Sequence, residues 1–322
     1  MPQDTPRLRA NLQDCFPSLV IEEVAAQSGQ RVVYFGHFND SLIPADVAAP
    51  GPDDPAFLHG WGAWGRVVIK VVGGASADAL TRLQAETAIL TELRPQNFPS
   101  LLFCDLFLEN PVTDEPLPET LYVSIEEFVV SRPLSQCLAD YHGNPGAILD
   151  LCLGVANALM PLWMHPKRFV HRDIKPANIL VKPNGQIVVI DLGIVRETGG
   201  TGITRDGWGN APLTLDFAAP EQIANDKDAI SFKSDFFALG VLMYLLLAGR
   251  HPFHHPEQMA PHELALAIEQ THPPTLIELG AASQDISDLV EQLMRKEPYR
   301  RPRTPDILIE QMRVLRENQT WR

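Results

Sequence analysis

Three features of the 322-residue chain predict an α+β fold. Short β-type runs crowd the first third, at 31–38, 66–72, 101–108 and 121–130, separated by Pro- and Asp-rich turns. From 134 onward, long apolar segments with helical spacing dominate, at 148–163, 235–248, 263–269 and 285–294. The composition, 45% hydrophobic and 20% charged, supplies a core for one large or two modest domains.

A formal charge of −14 repels phosphate backbones and anionic lipid, so neither nucleic acid nor a membrane is the expected partner. The 28 prolines imply long irregular connections, with 46–55 as the one linker-like stretch. Cys15, Cys104, Cys137 and Cys152 form no C-x-x-C pair and have no ligand spacing with histidine; they read as scattered core thiols in a reducing compartment. The start MPQDTPRLRA has no signal-peptide core, and the apolar run 236–248 is too short to cross a bilayer. That run reads as a buried helix, and the expected location is the cytoplasm.

The β-type runs predict a small, mostly antiparallel sheet. Between the second and third, Ala79, Leu83, Glu86, Leu90 and Leu93 recur at spacings of 4, 3, 4 and 3, the stripe of an amphipathic helix. Glu86 sits on that stripe, and a carboxylate there needs a cation. Lys70, inside Val67-Val68-Ile69-Lys70-Val71-Val72, is the upstream candidate; the alternative is Glu86 in solvent and Lys70 snorkelling from an edge strand.

Two apolar runs joined by Asn184-Gly185 predict a β-hairpin. A two-residue turn there sets Asn178 opposite Asp191, with Cβ atoms ~5 Å apart. An amide and a carboxylate suit magnesium, which takes few protein oxygens and fills its other positions with water or phosphate; the alternative is an ordinary polar cross-strand pair. Asn178 also closes the run His171-Arg172-Asp173-Ile174-Lys175-Pro176-Ala177-Asn178.

That run, followed by Asp191-Leu192-Gly193 and Ala219-Pro220-Glu221, resembles the eukaryotic-like serine/threonine protein kinases, over about 24–303. The resemblance implies a two-lobed kinase-like fold: an N-terminal extension at 1–22, a β-rich lobe at 23–130 with an insertion at about 40–57, and a helical lobe at 131–322. It implies transfer of the γ-phosphoryl group of ATP, with Mg²⁺, to Ser or Thr of a protein substrate. Asp173 would accept the hydroxyl proton, Lys175 would neutralise the phosphoryl group, and Asn178 and Asp191 would hold the metal. Lys70 and Glu86 resemble the family's lysine on a strand and its helix partner. The implied nucleotide contacts are Ser28, Gly29, Val33, Val68, Lys70, Glu127, Val129 and Leu180, with Glu127-Phe128-Val129 resembling the hinge that meets adenine.

The glycine loop departs from the pattern. Gly60-Trp61-Gly62-Ala63-Trp64-Gly65-Arg66-Val67 matches G-x-G-x-x-G-x-V, yet Lys70 follows Gly65 by only five residues, leaving no room for a strand and a return turn. It reads instead as the turn into the strand of Lys70. The loop position falls at 26–34, where all three glycines are replaced and only an off-register Gly29 remains, which predicts weak ATP binding.

Asp235 resembles the helix aspartate that accepts N–H groups of the catalytic loop, and Glu221 with Arg301 resembles the ion pair anchoring the end of the activation segment. Thr201 and Thr204 are candidate phosphorylation sites, and Thr214 a positioning residue. His251, His254 and His255 read as surface histidines. The alternative function is a pseudokinase-like nucleotide-binding or scaffold protein, motivated by the missing glycines. Small-molecule phosphotransferases of related fold typically lack counterparts of Glu221 and Asp235. The substrate protein and oligomeric state are not encoded in any motif.

Overall fold

The computed structural model describes residues 4–27, 31–45, 47, 58–74, 77–93, 97–192, 196–197, 215–254 and 259–319, with backbone alone at 27, 77–79, 82, 83, 85, 86, 93, 196, 197 and 319. The chain divides into two compact units, Met1–Arg94 with Pro99–Val129, and Pro95–Phe98 with Val130–Arg322. The first is β-rich and the second mainly helical, as the α+β reading expects.

The first unit begins with helix α1 (Pro6–Cys15), capped by Thr5, whose Oγ1 accepts from the Leu8 N–H at 3.1 Å. Strands β1 (Leu19–Gln27), β2 (Val32–Phe38) and β3 (Arg66–Gly73), helix α2 (Ala77–Leu93), and strands β4 (Leu101–Glu109) and β5 (Pro116–Glu127) follow. The strands form one antiparallel sheet in the order β1-β2-β3-β5-β4. Strand β1 has no counterpart among the expected β-runs. Its Glu22-Glu23 pair and its register shifts between Ile21 and Glu23 and between Val24 and Ala26 break the period-2 pattern that marks a strand.

Alternation sorts the sheet into two faces. Val32, Tyr34, Val67, Ile69, Val71, Val123 and Ile125 join Leu8, Leu12, Cys15 and Phe16 around α1 in one buried cluster. The segment 1–22 therefore contributes core to this unit. The opposite face carries Val33, Val68, Lys70, Ser124 and Glu126.

The second unit contains β6 (Arg132–Pro133), α3 (Pro145–Trp163), β7 (Phe169–Val170), β8 (Ile179–Val181), β9 (Ile187–Val189), β10 (Arg196–Glu197), α4 (Pro220–Ile223), α5 (Phe232–Ala248), α6 (Pro261–Gln270), α7 (Gln284–Leu293) and α8 (Pro305–Gln319). All four expected helical segments are present. Helix α5 is buried on every side, from Ser234 to Leu247 apart from Leu245, which fits its unbroken apolar run. Helix α3 is long and apolar enough to cross a membrane by length and composition, yet ten of its residues are buried, and it packs against α5, α8 and β9.

All four cysteines are free thiols, but they are not all core. Cys15, Cys137 and Cys152 are buried, whereas Cys104 is exposed on the edge strand β4 beside exposed Asp105. Burial pushes the Cys152 thiol up to about 12.

Candidate active site

The loop between β7 and β8 is held by buried polar groups of its own unit. Asp235 lies in the first turn of α5, where Ser231 is the N-cap, and is 1% exposed. Its Oδ2 accepts from Trp163 Nε1 at 2.8 Å and from the His171 N–H at 2.9 Å, and its Oδ1 from the Arg172 N–H at 2.8 Å. Burial pushes this carboxyl up, against the downward pull of His171 and of the three N–H donors. His171 is fully buried: Nε2 donates to Ile190 O at 3.3 Å, and Nδ1 accepts from the Asp173 N–H at 3.3 Å. Both ring nitrogens are thus used.

Asp173 is presented on this frame beside its two expected companions. Lys175 Nζ lies 2.7 Å from Asp173 Oδ2, and Asn178 Nδ2 donates to that oxygen and to Asp173 O, each at 2.9 Å. Those bonds orient the Asn178 amide, leaving Oδ1 as its acceptor end. The family reading implies a divalent metal here, and a hard oxygen of this kind fits one.

The hairpin arithmetic needs correction. The ladder pairs Ile179 with Val189, Leu180 with Val188 and Val181 with Ile187, which sets Ile190, not Asp191, opposite Asn178. The turn has three residues, 183–185, closed by Lys182 N–H to Gln186 O at 2.9 Å, with Gly185 at φ +82°. This is the three-residue loop ending in a left-handed glycine, and Pro183 ahead of Asn184-Gly185 favours it over the two-residue turn. Ile190 N–H donates to Asn178 O at 2.9 Å, and Asp191 then leaves the strand at φ +71°. Left-handed geometry is uncommon outside glycine, and aspartate is among the side chains that tolerate it.

In the sheet unit, register brings three expected nucleotide residues together. Val33 lies opposite Lys70 on β2, and Val68 precedes Lys70 by two on the same face. A carboxylate of its own sheet stands against Lys70: Glu126, with Nζ and Oε1 2.5 Å apart. The side chain of Glu86 lies outside the described residues, although α2 runs through it as expected. Sequence reasoning missed Glu126, and its signal was available: alternation back from Glu127 puts Glu126 and Ser124 on one face, directly across from Val68 and Lys70.

The remaining nucleotide residues fall in separate places. Ser28 and Gly29 lie outside the described residues, between β1 and β2. Glu127 ends β5, and its N–H already donates to Ser100 O at 2.9 Å while its carboxylate accepts from Ser100 Oγ at 2.9 Å. Val129 is buried just past the strand, and Leu180 is half-buried in β8 of the other unit.

The glycine-rich segment 60–65 is a 3-10 turn leading into β3. Its amides are occupied from within: Gly60 N–H donates to Asp40 Oδ2 at 3.1 Å and Gly62 N–H to Asp40 Oδ1 at 2.8 Å. Trp61 and Trp64 stack at 4.5 Å, and Trp61 packs on Phe16, Phe38 and Phe103.

Two supports complete the helical unit. Arg301 grips Glu221 with both forks, NH1 to Oε1 at 2.6 Å and NH2 to Oε2 at 2.9 Å, and also bonds the carbonyls of Lys233, Arg295 and Lys296. Ser234 Oγ donates to Glu221 Oε1 at 2.7 Å, and Gln222 Nε2 ties α4 to Arg172 O at 2.9 Å; neither partner was anticipated. His254 is exposed as expected, and His255 lies outside the described residues. His251 is not a surface residue. It is half-buried, donating from Nε2 to Asp216 O at 2.6 Å and accepting at Nδ1 from the Phe253 N–H at 3.2 Å; burial lowers its pKa to about 4. Thr201, Thr204 and Thr214 lie outside the described residues.

Comparison with known proteins agrees with this geometry. A probable serine/threonine-protein kinase of Streptomyces coelicolor is 37% identical over 109 residues, 34% of this chain and 16% of that protein. The serine/threonine-protein kinase PknA of Corynebacterium glutamicum is 31% identical over 188 residues, covering 58% and 38%. Serine/threonine-protein kinase 16 of Homo sapiens is 29% identical over 175 residues, covering 52% and 55%. The chain thus spans from about a sixth to about half the length of these relatives. The protein kinase domain family matches residues 65–312, from the last glycine of the 60–65 turn through most of α8, and the chain belongs to that family.

Proposed function

We propose that the protein is a serine/threonine protein kinase that transfers the γ-phosphoryl group of ATP to a protein hydroxyl. The single observation that carries this is the buried frame that delivers Asp173 with Lys175 and Asn178 against it. Lys175, two residues after Asp173, favours Ser and Thr over Tyr as acceptors.

Asp173 takes the proton of the substrate hydroxyl as its oxygen bonds to the γ-phosphorus; the bond to the bridging oxygen breaks, and ADP leaves. Charge in that loose transition state lies on peripheral oxygens, so positioning and cation placement do most of the catalysis. Lys175 supplies a cation to the moving group. Lys70 takes the phosphates of the bound nucleotide. Asn178 and Asp191 would hold Mg²⁺, whose charge when bound offsets that of the phosphates. Val33, Val68, Val129 and Leu180 provide apolar contacts for the base, with Ser28 and Gly29 over the phosphates. Glu86 is a helix partner for Lys70.

Mass spectrometry after incubation with ATP and Mg²⁺ tests this. The parent should gain phosphate on itself or on added protein, and Lys70→Ala should not; no incorporation by the parent at millimolar ATP would refute it.

A further inference from the structure

We propose that Glu126 is a second carboxylate partner of Lys70, a positioning residue that holds the ammonium in the nucleotide-free protein and competes there with phosphate. The proposal rests on the reading of Lys70 as the phosphate-binding lysine.

The β3–β5 ladder sets Ser124 opposite Lys70 and Glu126 opposite Val68, so Glu126 is one diagonal step from Lys70 on the same face. A long side chain spans that step, and the two charges meet at 2.5 Å with side chains only 7% and 4% exposed. Val33 and Val68 are the near neighbours along this face, and the buried Ser124 Oγ has no hydrogen-bond partner among the described residues. At that burial an ammonium and a carboxylate each lose hydration, and their mutual contact offsets part of that cost.

An ammonium has three donors and can serve a carboxylate and a phosphate together. A carboxylate already against it nevertheless cancels the field that a phosphate would feel, and repels the phosphate directly. Glu126 therefore weakens nucleotide binding, in the same direction as the substituted glycines of 26–34. A neutral side chain at 126 would leave more of the Lys70 charge to the nucleotide.

The test combines a stability cycle without nucleotide and a titration with MgATP on the full chain. Lys70→Met and Glu126→Gln should each lower the melting temperature, by roughly 5–10 °C, and the double variant should lose no more than the worse single one. Glu126→Gln should lower the Kd for MgATP by roughly three- to tenfold, with KM for ATP following and kcat changing less than twofold. Additive melting shifts would overturn the ion pair. A Kd that is unchanged or higher would overturn the competition. If neither the parent nor Glu126→Gln bound MgATP, the reading of Lys70 and the competition would both fail, while the cycle would still decide the ion pair.

Discussion

Asp173, Glu221 and His251 show how much a single side chain does once its partners are set. Asp173→Asn keeps the bonds to Asn178 and removes the proton acceptor, so turnover should fall by roughly 10² to 10⁴ with the unfolding curve unchanged. Undiminished phosphate incorporation would remove Asp173 from that role. Glu221→Gln leaves the Arg301 guanidinium, whose side chain is 0% exposed, without its counter-charge, and should cost about 3–5 kcal/mol in urea unfolding. His251 makes a pH prediction. Burial holds its folded pKa at about 4, below the ordinary 6.5, so its contribution is full above pH 6.5 and is lost as pH falls through 4, where protonation breaks the bond from the Phe253 N–H. Between pH 6.5 and 4 the parent should therefore lose more stability than His251→Gln does, a slope read from unfolding curves at a series of pH values. The residues readable in advance were those in contiguous motifs, such as Asp173, Lys175 and Asn178. Ser234, Gln222 and Trp163 were not, because a hydrogen bond between residues 72 positions apart, as from Trp163 to Asp235, leaves no trace in local spacing.

Elements were read best where burial is one-sided and worst where the backbone leaves regular geometry. Helices α2, α3 and α5 to α7 and strands β2 to β5 announce themselves by period, whereas β1 hides behind two register shifts. Asn184-Gly185 marks the β8–β9 hairpin but leaves its register open by one residue, since the pair serves a two-residue and a three-residue loop equally well until Pro183 is weighed. The 60–65 segment shows that a glycine pattern is an offer of free amides, and here Asp40 accepts it. Asp40→Ala should lower unfolding stability by about 1–2 kcal/mol through the two lost charge-assisted bonds, while KM for ATP stays within twofold. A matching rise in KM would return this turn to the nucleotide.

For the whole molecule, the division into a β-rich and a helical unit was apparent from where period 2 gives way to period 3.6, but the role of the first residues was not. An extension ahead of a domain reads as optional, yet Leu8, Leu12, Cys15 and Phe16 are each 3% exposed or less against the sheet. Burying four such side chains contributes on the order of 6–10 kcal/mol, comparable with the entire stability of a typical domain. A chain lacking residues 1–16 should therefore lose the near-ultraviolet circular dichroism of its sheet unit and bind an apolar dye; a native spectrum would show that α1 is dispensable. The stacked indoles of Trp61 and Trp64 belong to that unit, while Trp163, bonded to a buried carboxylate, belongs to the helical one. The paired rings thus give the sheet unit a chromophore of its own: exciton coupling between two stacked indoles vanishes when that unit melts, so its unfolding can be followed by circular dichroism without attaching a label.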